Sequence, residues 1–499
     1  MFYFPNRRTK FVKNHFMSTA VSSLEPKAIW ANFASLNAVP RASKKEQRVI
    51  NFIKEFGLGL GLETQVDAIG NVLIRKPATP GMSDRKIVVM QAHLDMVHQK
   101  NADVDFDFDK QGIDMYVDGD WVRANGTTLG ADNGLGVAAI MGVLASTDLP
   151  HPAIEALFTI DEETGMTGAM ELKEGWLTGA ILLNLDTEED NELGVGCAGG
   201  IDVTFKSCYT PVLSDPGVAY RISVRGLQGG HSGMDIHKGL GNANKLMNRI
   251  LWAVKDKVHL AELSGGSLRN AIPRESFCLV AVAPENEIGF KEAFTQCKNE
   301  ILAEFTALEP ELSLEFTPDE SPKQIMPSDE FMQFIRGVQA TQNGVYRMSP
   351  DIPGLVEASN NLAKVTVKDG LVQWECLTRS SVESTKWDLV HGLQAVGQLS
   401  GCSVECSGDY PGWAPNMNSP ILKVMRQIYR DTFEHEPHVA ACHAGLECGI
   451  IGKHYPALDM ISFGPNIRGA HAPDERASIS SSQKFWRFLC QVLTEIPKK

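Results

Sequence analysis

Five short segments each set an acidic or imidazole side chain just where an apolar run stops. They are His93 and Asp95 in KIVVMQAHLDMV, Asp132 in GTTLGADNGLG, Glu162 and Glu163 in LFTIDEETG, Asp186 in AILLNLDTEE, and His471 in ISFGPNIRGAHAPDE. The runs read as strands, and the strand ends of an open α/β sheet are where such folds collect ligands. Two imidazoles and several carboxylates converging there predict a hydrolytic centre built on two divalent cations.

Taken singly, each segment also has a plainer reading. An extended chain points His93 and Asp95 to the same face, so His93 can ligate while Asp95 fixes the ring or a water. A hydrogen-bonded pair at a strand end is the alternative. Asp132 stands at the expected start of a Gly-rich helix, where capping alone would account for a carboxylate. The pattern is neither GxGxxG nor a P-loop, which disfavours a phosphate cradle. Glu162 and Glu163 repel one another, a cost that a cation relieves. Their side chains point apart, so one can ligate while the other meets water as a base; a solvated acidic turn is the alternative. Asp186 closes ILLNL, a run too apolar to leave a carboxylate unpartnered. His471 alone is a loop histidine. The joint placement of all five argues for the metal centre.

The elements that must position these groups alternate. A helix is expected from Pro26, with Ile29, Trp30, Phe33 and Leu36 on one face, and a second after Ser43, where Ser43 and Glu46 form a capping box. Strands at 71–75, 86–91, 156–160 and 180–184 then alternate with helices at 133–146 and 168–173, the α/β signature. From 201 the rhythm changes to strand 219–225, helix 241–255, strands 258–263 and 276–283, helix 287–305 and strand 312–317. That order is βαββαβ, a split βαβ unit. A less regular version occupies 330–410, with no repeat of residues between the two. Beyond Pro420 the first domain resumes with a helix at 421–433, a Gly-rich turn at 443–449, a strand at 458–463 and a helix at 481–496. The expected division is an extension at 1–16, a first domain split into 17–200 and 412–499, and an insertion at 201–411.

A chain of 499 residues exceeds one ordinary core. A net charge of −14 argues against nucleic acid or an anionic membrane as partner. The longest apolar run, Val137 to Ala145, is too short to span a bilayer. Ten cysteines without a CxxC pair read as free thiols of a reducing cytosol. The first sixteen residues are basic without a secretory apolar stretch. They read as a disordered extension or a misassigned start, with a transit peptide as the weaker alternative.

QAHLDMV, GTTLGADNGLGVA, DEETGMTGA, NLDTEE, GGHSGMDIHKGLGNA, RNAIPRE, HAGLECGI and GAHAPDE together resemble the M20 family of di-zinc peptidases, in its aminoacyl-histidine dipeptidase branch. The resemblance runs from about Leu24 to Ile496. It implies an α/β fold in which a zinc-peptidase-like catalytic domain is split by an α/β lid of two ferredoxin-like sandwiches. It implies Asp132 bridging two zinc ions, His93 and Asp186 completing one site, and Glu163 and His471 the other. Manganese or cobalt suits the same ligands. Glu162 is then the general base, Asp95 orients the site, and the Asp132–Asn133 peptide is cis. From the insertion, the resemblance offers His231 as oxyanion donor and Asn270 and Arg379 for the substrate's C-terminal carboxylate; His443 and Glu447 are offered for its amino end. A turn histidine, a capping Asn and a surface Arg are the plainer readings of His231, Asn270 and Arg379. The insertion is about twice the length of an ordinary M20 lid. The second sandwich is therefore expected to imitate a dimer partner, letting His231 act within one chain. The implied activity is cytoplasmic hydrolysis of dipeptides with a free amino terminus, Xaa-His dipeptides such as carnosine included, by a monomer or homodimer. Three rivals stand beside it. An N-acyl-amino-acid amidohydrolase would share the metals and base. A serine hydrolase is disfavoured, because GGHSGM lacks the GxSxG register. A silent metal-binding scaffold would have no need of Glu162.

Overall fold

The computed structural model describes residues 20–214 and 217–499, so the expectation for residues 1–16 lies outside the described residues. The chain forms two units, one of residues up to 196 with 415–441 and 450–499, the other of 197–414 with 442–449. The excursion at 442–449 differs from the sequence reading, which placed this turn in the first domain. Its backbone is tied down inside the second unit, where the Ala198 amide donates to the carbonyls of Cys442 (3.1 Å) and Ala444 (3.0 Å).

In the first unit, α1 (Lys27–Asn37) buries Ile29, Trp30, Phe33 and Leu36 along one stripe. Helix α2 (Gln47–Gly59) follows, but the expected capping box does not form. Ser43 Oγ instead donates to Asp95 Oδ2 (2.8 Å), and Glu46 Oε1 accepts from the amides of Lys44 (2.8 Å) and Asp161 (3.1 Å). Buried groups near the site claim these side chains, because an unmet buried bond costs more than an uncapped, hydrated helix end. The strands β1 (Glu63–Val66), β2 (Val72–Lys76) and β3 (Val88–His93) lead to helix α3 (Ala131–Ala145). After it come β4 (Ile154–Thr159), β5 (Ile181–Asn184) and β6 (Glu192–Cys197). Their sheet has the order β1-β2-β4-β3-β5, followed by Asp459–Ser462, β6 and His438–Cys442.

The four central strands β4, β3, β5 and Asp459–Ser462 are parallel, so their carboxyl ends face one way. Near those ends a buried polar ladder crosses them: Gln91 Nε2 donates to Thr159 Oγ1 (3.0 Å), Asn184 Nδ2 to Gln91 Oε1 (2.6 Å), and Ser462 Oγ to Asn184 Oδ1. A one-residue slip would leave each member unpaired in the interior, so the ladder fixes the register. The helix expected at 168–173 is replaced by two short turns, Glu162–Gly165 and Thr167–Met170, separated at Met166 by a left-handed φ of 50°.

The second unit holds β7 (Gly199–Cys208), β8 (Val218–Arg225), α4 (Ala243–Val254), β9 (His259–Gly265), β10 (Ser276–Val282), α5 (Glu287–Phe305) and β11 (Ser313–Asp319). It continues with α6 (Ser328–Ala340), β12 (Gly344–Met348), β13 (Val356–Lys368), β14 (Leu371–Ser380), α7 (Glu383–Leu399) and β15 (Ser403–Tyr410). The two ferredoxin-like halves share one nine-stranded sheet, ordered β11-β8-β10-β9-β13-β14-β7-β15, with β12 paired to β13. Each half has the ferredoxin-like order 4-1-3-2. The halves join where the second strand of one meets the second strand of the other, at Leu263↔Val367 to Gly265↔Val365. The first strand of the second half is β7, which precedes the whole first half in sequence; the sequence reading missed it. A continuous core from Ile201 to Leu393 unites the two halves.

Within that core Phe205 of β7 stacks on Trp374 of β14, with ring centroids 4.6 Å apart. Trp374→Ala should cost about 3–5 kcal/mol, the usual toll of emptying a buried aromatic site, measured as a lower urea midpoint of the unfolding transition. A change below about 0.5 kcal/mol, the range of surface substitutions, would contradict this placement of β7.

Candidate active site

Strand β3 ends on His93, and the turn after it carries Asp95. His93 Nε2 lies 3.2 Å from Asp132 Oδ1 and 3.5 Å from Asp186 Oδ1, while its Nδ1 lies 3.3 Å from Asp95 Oδ1. From the other side His471 Nε2 lies 3.2 Å from Asp132 Oδ2 and 2.9 Å from Glu163 Oε2. Each oxygen of Asp132 thus faces one imidazole. The ligand atoms of His93, Asp132 and Asp186 fall within 4.8 Å of one another, as do those of Asp132, Glu163 and His471. Both sets mix imidazole nitrogen with carboxylate oxygen, which suits zinc, manganese or cobalt. Glu163 Oε1 is buried with no hydrogen-bond partner among the described residues, an orphaned oxygen that a cation would satisfy. The residues present therefore fit two cations sharing Asp132. Glu162 lies with His93 and Glu163 in a third such cluster.

Local folding explains the aim of these groups. The Asp132–Asn133 peptide is cis at the kinked start of α3. Asn133 Nδ2 donates to Leu185 O (3.0 Å) and to Asp186 Oδ1, tying the two loops together. Asp95, fully buried, accepts from the amides of Glu162 (3.0 Å) and Glu163 (3.2 Å) as well as from Ser43. One carboxylate thereby sets both the His93 ring and the turn bearing the candidate base.

Two groups escaped the sequence reading. Arg41 is fully buried; its Nη1 donates to the carbonyls of Leu94 (3.1 Å) and Asp95 (3.0 Å), and its Nη2 to Gly130 O (2.5 Å). Burial pushes its guanidinium down to about 10. No motif marks it. Glu475 accepts four consecutive amides, Leu129 to Asp132, and its one signal was its place in GAHAPDE, four residues after His471.

In the second unit His231 pairs with Ala271, and Asn270 beside it is exposed, its carbonyl accepting from Ser232 N (2.8 Å). His231 Nδ1 accepts from the amides of Gly233 (3.2 Å) and Met234 (3.1 Å), so the proton of the neutral ring sits on Nε2. Burial and then Arg379 lower its pKa, which keeps the ring neutral. The guanidinium of Arg379 donates to Tyr410 OH (3.0 Å) and Ser232 Oγ (3.4 Å). His443 Nε2 lies 2.7 Å from Ser359 Oγ; burial, and then the charge of Arg379, push this imidazole down to about 3. A Cβ at Gly233 would come within 2.0 Å of His443 O, so only glycine fits there. Glu447 is buried and opens a helix, Glu447–His454, at the end of the Gly-rich turn.

The charges of the centre answer one another. Bonds to Asp132 and Glu163 push His471 up to about 11. Burial works against a charged His93, but Asp186, Asp132 and Asp95 raise it well above its ordinary value. Burial would likewise raise Asp132, yet His471 and His93 hold it below the usual carboxylate range. Burial pushes Asp186 up to about 7. At pH 8, below the raised value of His471, that ring holds a proton that a cation must displace. Zinc titration calorimetry at pH 8 in buffers of different ionisation enthalpy should show release of at least one proton per chain. Affinity should rise with pH toward 11, and zinc uptake without proton release would contradict the cluster.

Residues 89–495 match the peptidase family M20/M25/M40. The chain is 42% identical over 482 residues to the cytosol non-specific dipeptidase of Escherichia coli (strain K12), covering 96% of this chain and 99% of that one. Its fold superposes on the aminoacylhistidine dipeptidase of Vibrio alginolyticus with a TM-score of 0.90 at 43% identity, covering 96% of this chain and 98% of that one. Aminopeptidase PepT of Bacillus cereus shares the fold at 14% identity with a TM-score of 0.56, covering 95% and 99% of the two chains. With two imidazoles facing the two oxygens of Asp132, and a family match that takes in every residue of that centre, the chain belongs to peptidase family M20.

Proposed function

We propose that this protein is a metal-dependent dipeptidase acting on dipeptides with a free amino terminus, Xaa-His dipeptides included, and that it holds two zinc ions per chain. The observation that carries the reading is Asp132 shared between two ligand sets with Glu162 standing beside them as a further carboxylate. The names and near-complete coverage of the two relatives above 40% identity support dipeptides over N-acyl amino acids.

Cations held by His93, Asp132, Asp186, Glu163 and His471 would supply Lewis-acid polarisation of the scissile carbonyl and make water more acidic. Glu162 takes a proton from the attacking water as the water oxygen bonds to the carbonyl carbon, then delivers the proton to the amine as the C–N bond breaks. Asp95 keeps Glu162 in place through its backbone amide. His231, fixed as an Nε2–H donor, serves the oxyanion. Arg379, whose planar fork suits a carboxylate, and Asn270 receive the substrate's C-terminal end. His443 and Glu447, both buried, shape the segment that meets the amino end. No helix among the described residues is long and apolar enough to cross a membrane, in keeping with a proposed cytoplasmic site of action on small peptides.

The substrate class is tested with β-Ala-His, Ala-His, Gly-Leu, an N-acetylated dipeptide and an N-acetyl amino acid, with zinc and after chelation. Cleavage of the free dipeptides alone, abolished by chelation, is expected; cleavage of only the N-acetyl amino acid would establish the amidohydrolase instead. Glu162→Gln should retain its zinc while kcat falls at least ~100-fold, the usual scale of general acid–base catalysis. Near-normal turnover would remove Glu162 from the role.

A further inference from the structure

Glu475 belongs to none of the ligand sets, yet it has the most extensive grip on the backbone of the site. Its side chain is 2% exposed. Oε2 accepts from the amides of Leu129 (2.7 Å) and Gly130 (2.8 Å), and Oε1 from those of Ala131 (2.7 Å) and Asp132 (3.2 Å). These amides lie at the start of α3, where a helix leaves its first donors unmet. The carboxylate comes from the far end of the chain and from the same turn that carries His471. That turn is compact, with Ala472 N donating to Gly469 O (3.2 Å) and Glu475 N to Ala472 O (3.0 Å). The C-terminal segment therefore holds Asp132 twice, by its amide through Glu475 and by Oδ2 through His471. Arg41, on the carbonyl of Gly130, holds the same loop from its acceptor side.

His471 needs such an anchor. Its side chain is 54% exposed, and its φ of 65° is left-handed. The ion pairs of its ring are with the carboxylates of Asp132 and Glu163, themselves candidate ligands. His93 and Asp186 are secured differently, by the ends of β3 and β5, the polar ladder beneath them and Asn133.

We propose that Glu475 is a positioning residue for one cation of the pair: it fixes His471 against Asp132, so that its loss releases the ion held by Asp132, Glu163 and His471 before the ion held by His93, Asp132 and Asp186. The inference rests on the two-cation reading above.

Zinc titration calorimetry of the full chain tests it. Glu475→Gln keeps the shape of the side chain but sets an NH2 donor against two amide donors. Wild type should titrate two zinc ions. E475Q should bind the first within about threefold of wild type and the second at least ~10-fold more weakly, the scale seen when groups that orient metal ligands are removed. Because the effect runs through His471, E475Q combined with His471→Ala should weaken the second site no more than H471A alone. Glu475→Asp, which keeps both oxygens on a shorter arm, should fall between wild type and E475Q, and it carries the test if zinc-free E475Q fails to fold by circular dichroism. Wild-type affinity at both sites, equal loss of both ions, or additive losses in the double variant would overturn the proposal. Fewer than two ions on the wild type would instead overturn the two-cation reading itself.

Discussion

Bringing Asp132, Asp186, Glu162 and Glu163 to one end of four parallel strands sets like charges against each other where water is mostly excluded. Two such charges 4 Å apart repel by about 4 kcal/mol at an effective dielectric of 20. Several pairs at that cost would rival the net stability of a domain, about 5–15 kcal/mol. The protein meets this with positive charge aimed inward. His93 and His471 are raised toward the protonated form, and backbone amides are turned onto Asp95 and Glu475. Divalent cations bound to the same oxygens would replace the two imidazole protons with more charge at shorter range.

That repulsion also explains why so much buried polar structure sits behind the ligands. The ladder from Thr159 through Gln91 and Asn184 to Ser462 locks the relative heights of the strands that deliver His93 and Asp186. Arg41 binds the β3 turn to the loop of Asp132, and Asp95 binds that turn to the one bearing Glu162 and Glu163. The Arg41 and Asp95 contacts each join two loops whose carboxylates repel one another. Without them the carboxylates could relax apart, and the distances that place Asp132 in both candidate ligand sets would be lost.

The candidate ligands were legible because each combines a local signal, an apolar run ending in a residue able to bind metal, with a resemblance that ties the segments together. Their supports were not. Ser43 and Glu46 have the spacing of a capping box, but tertiary partners outbid the helix end. Arg41 is one arginine in a loop, and nothing nearby announces that it will be fully buried. In the second unit the alternation of Ile201, Val203 and Phe205 with Asp202, Thr204 and Lys206 is a strand signal, yet it lies where the domain boundary was drawn. Because β7 pairs with β14 and β15, far along the chain, its membership of the second half is a non-local fact. The joining of the halves at β9 and β13 rests on three residue pairs that no local pattern encodes.

Anomalous scattering from crystals grown with zinc shows whether two cations share Asp132. Two peaks are expected, one beside each oxygen of Asp132, the first also contacting His93 and Asp186 and the second Glu163 and His471. A single peak, or peaks whose ligands do not include Asp132, would contradict that sharing.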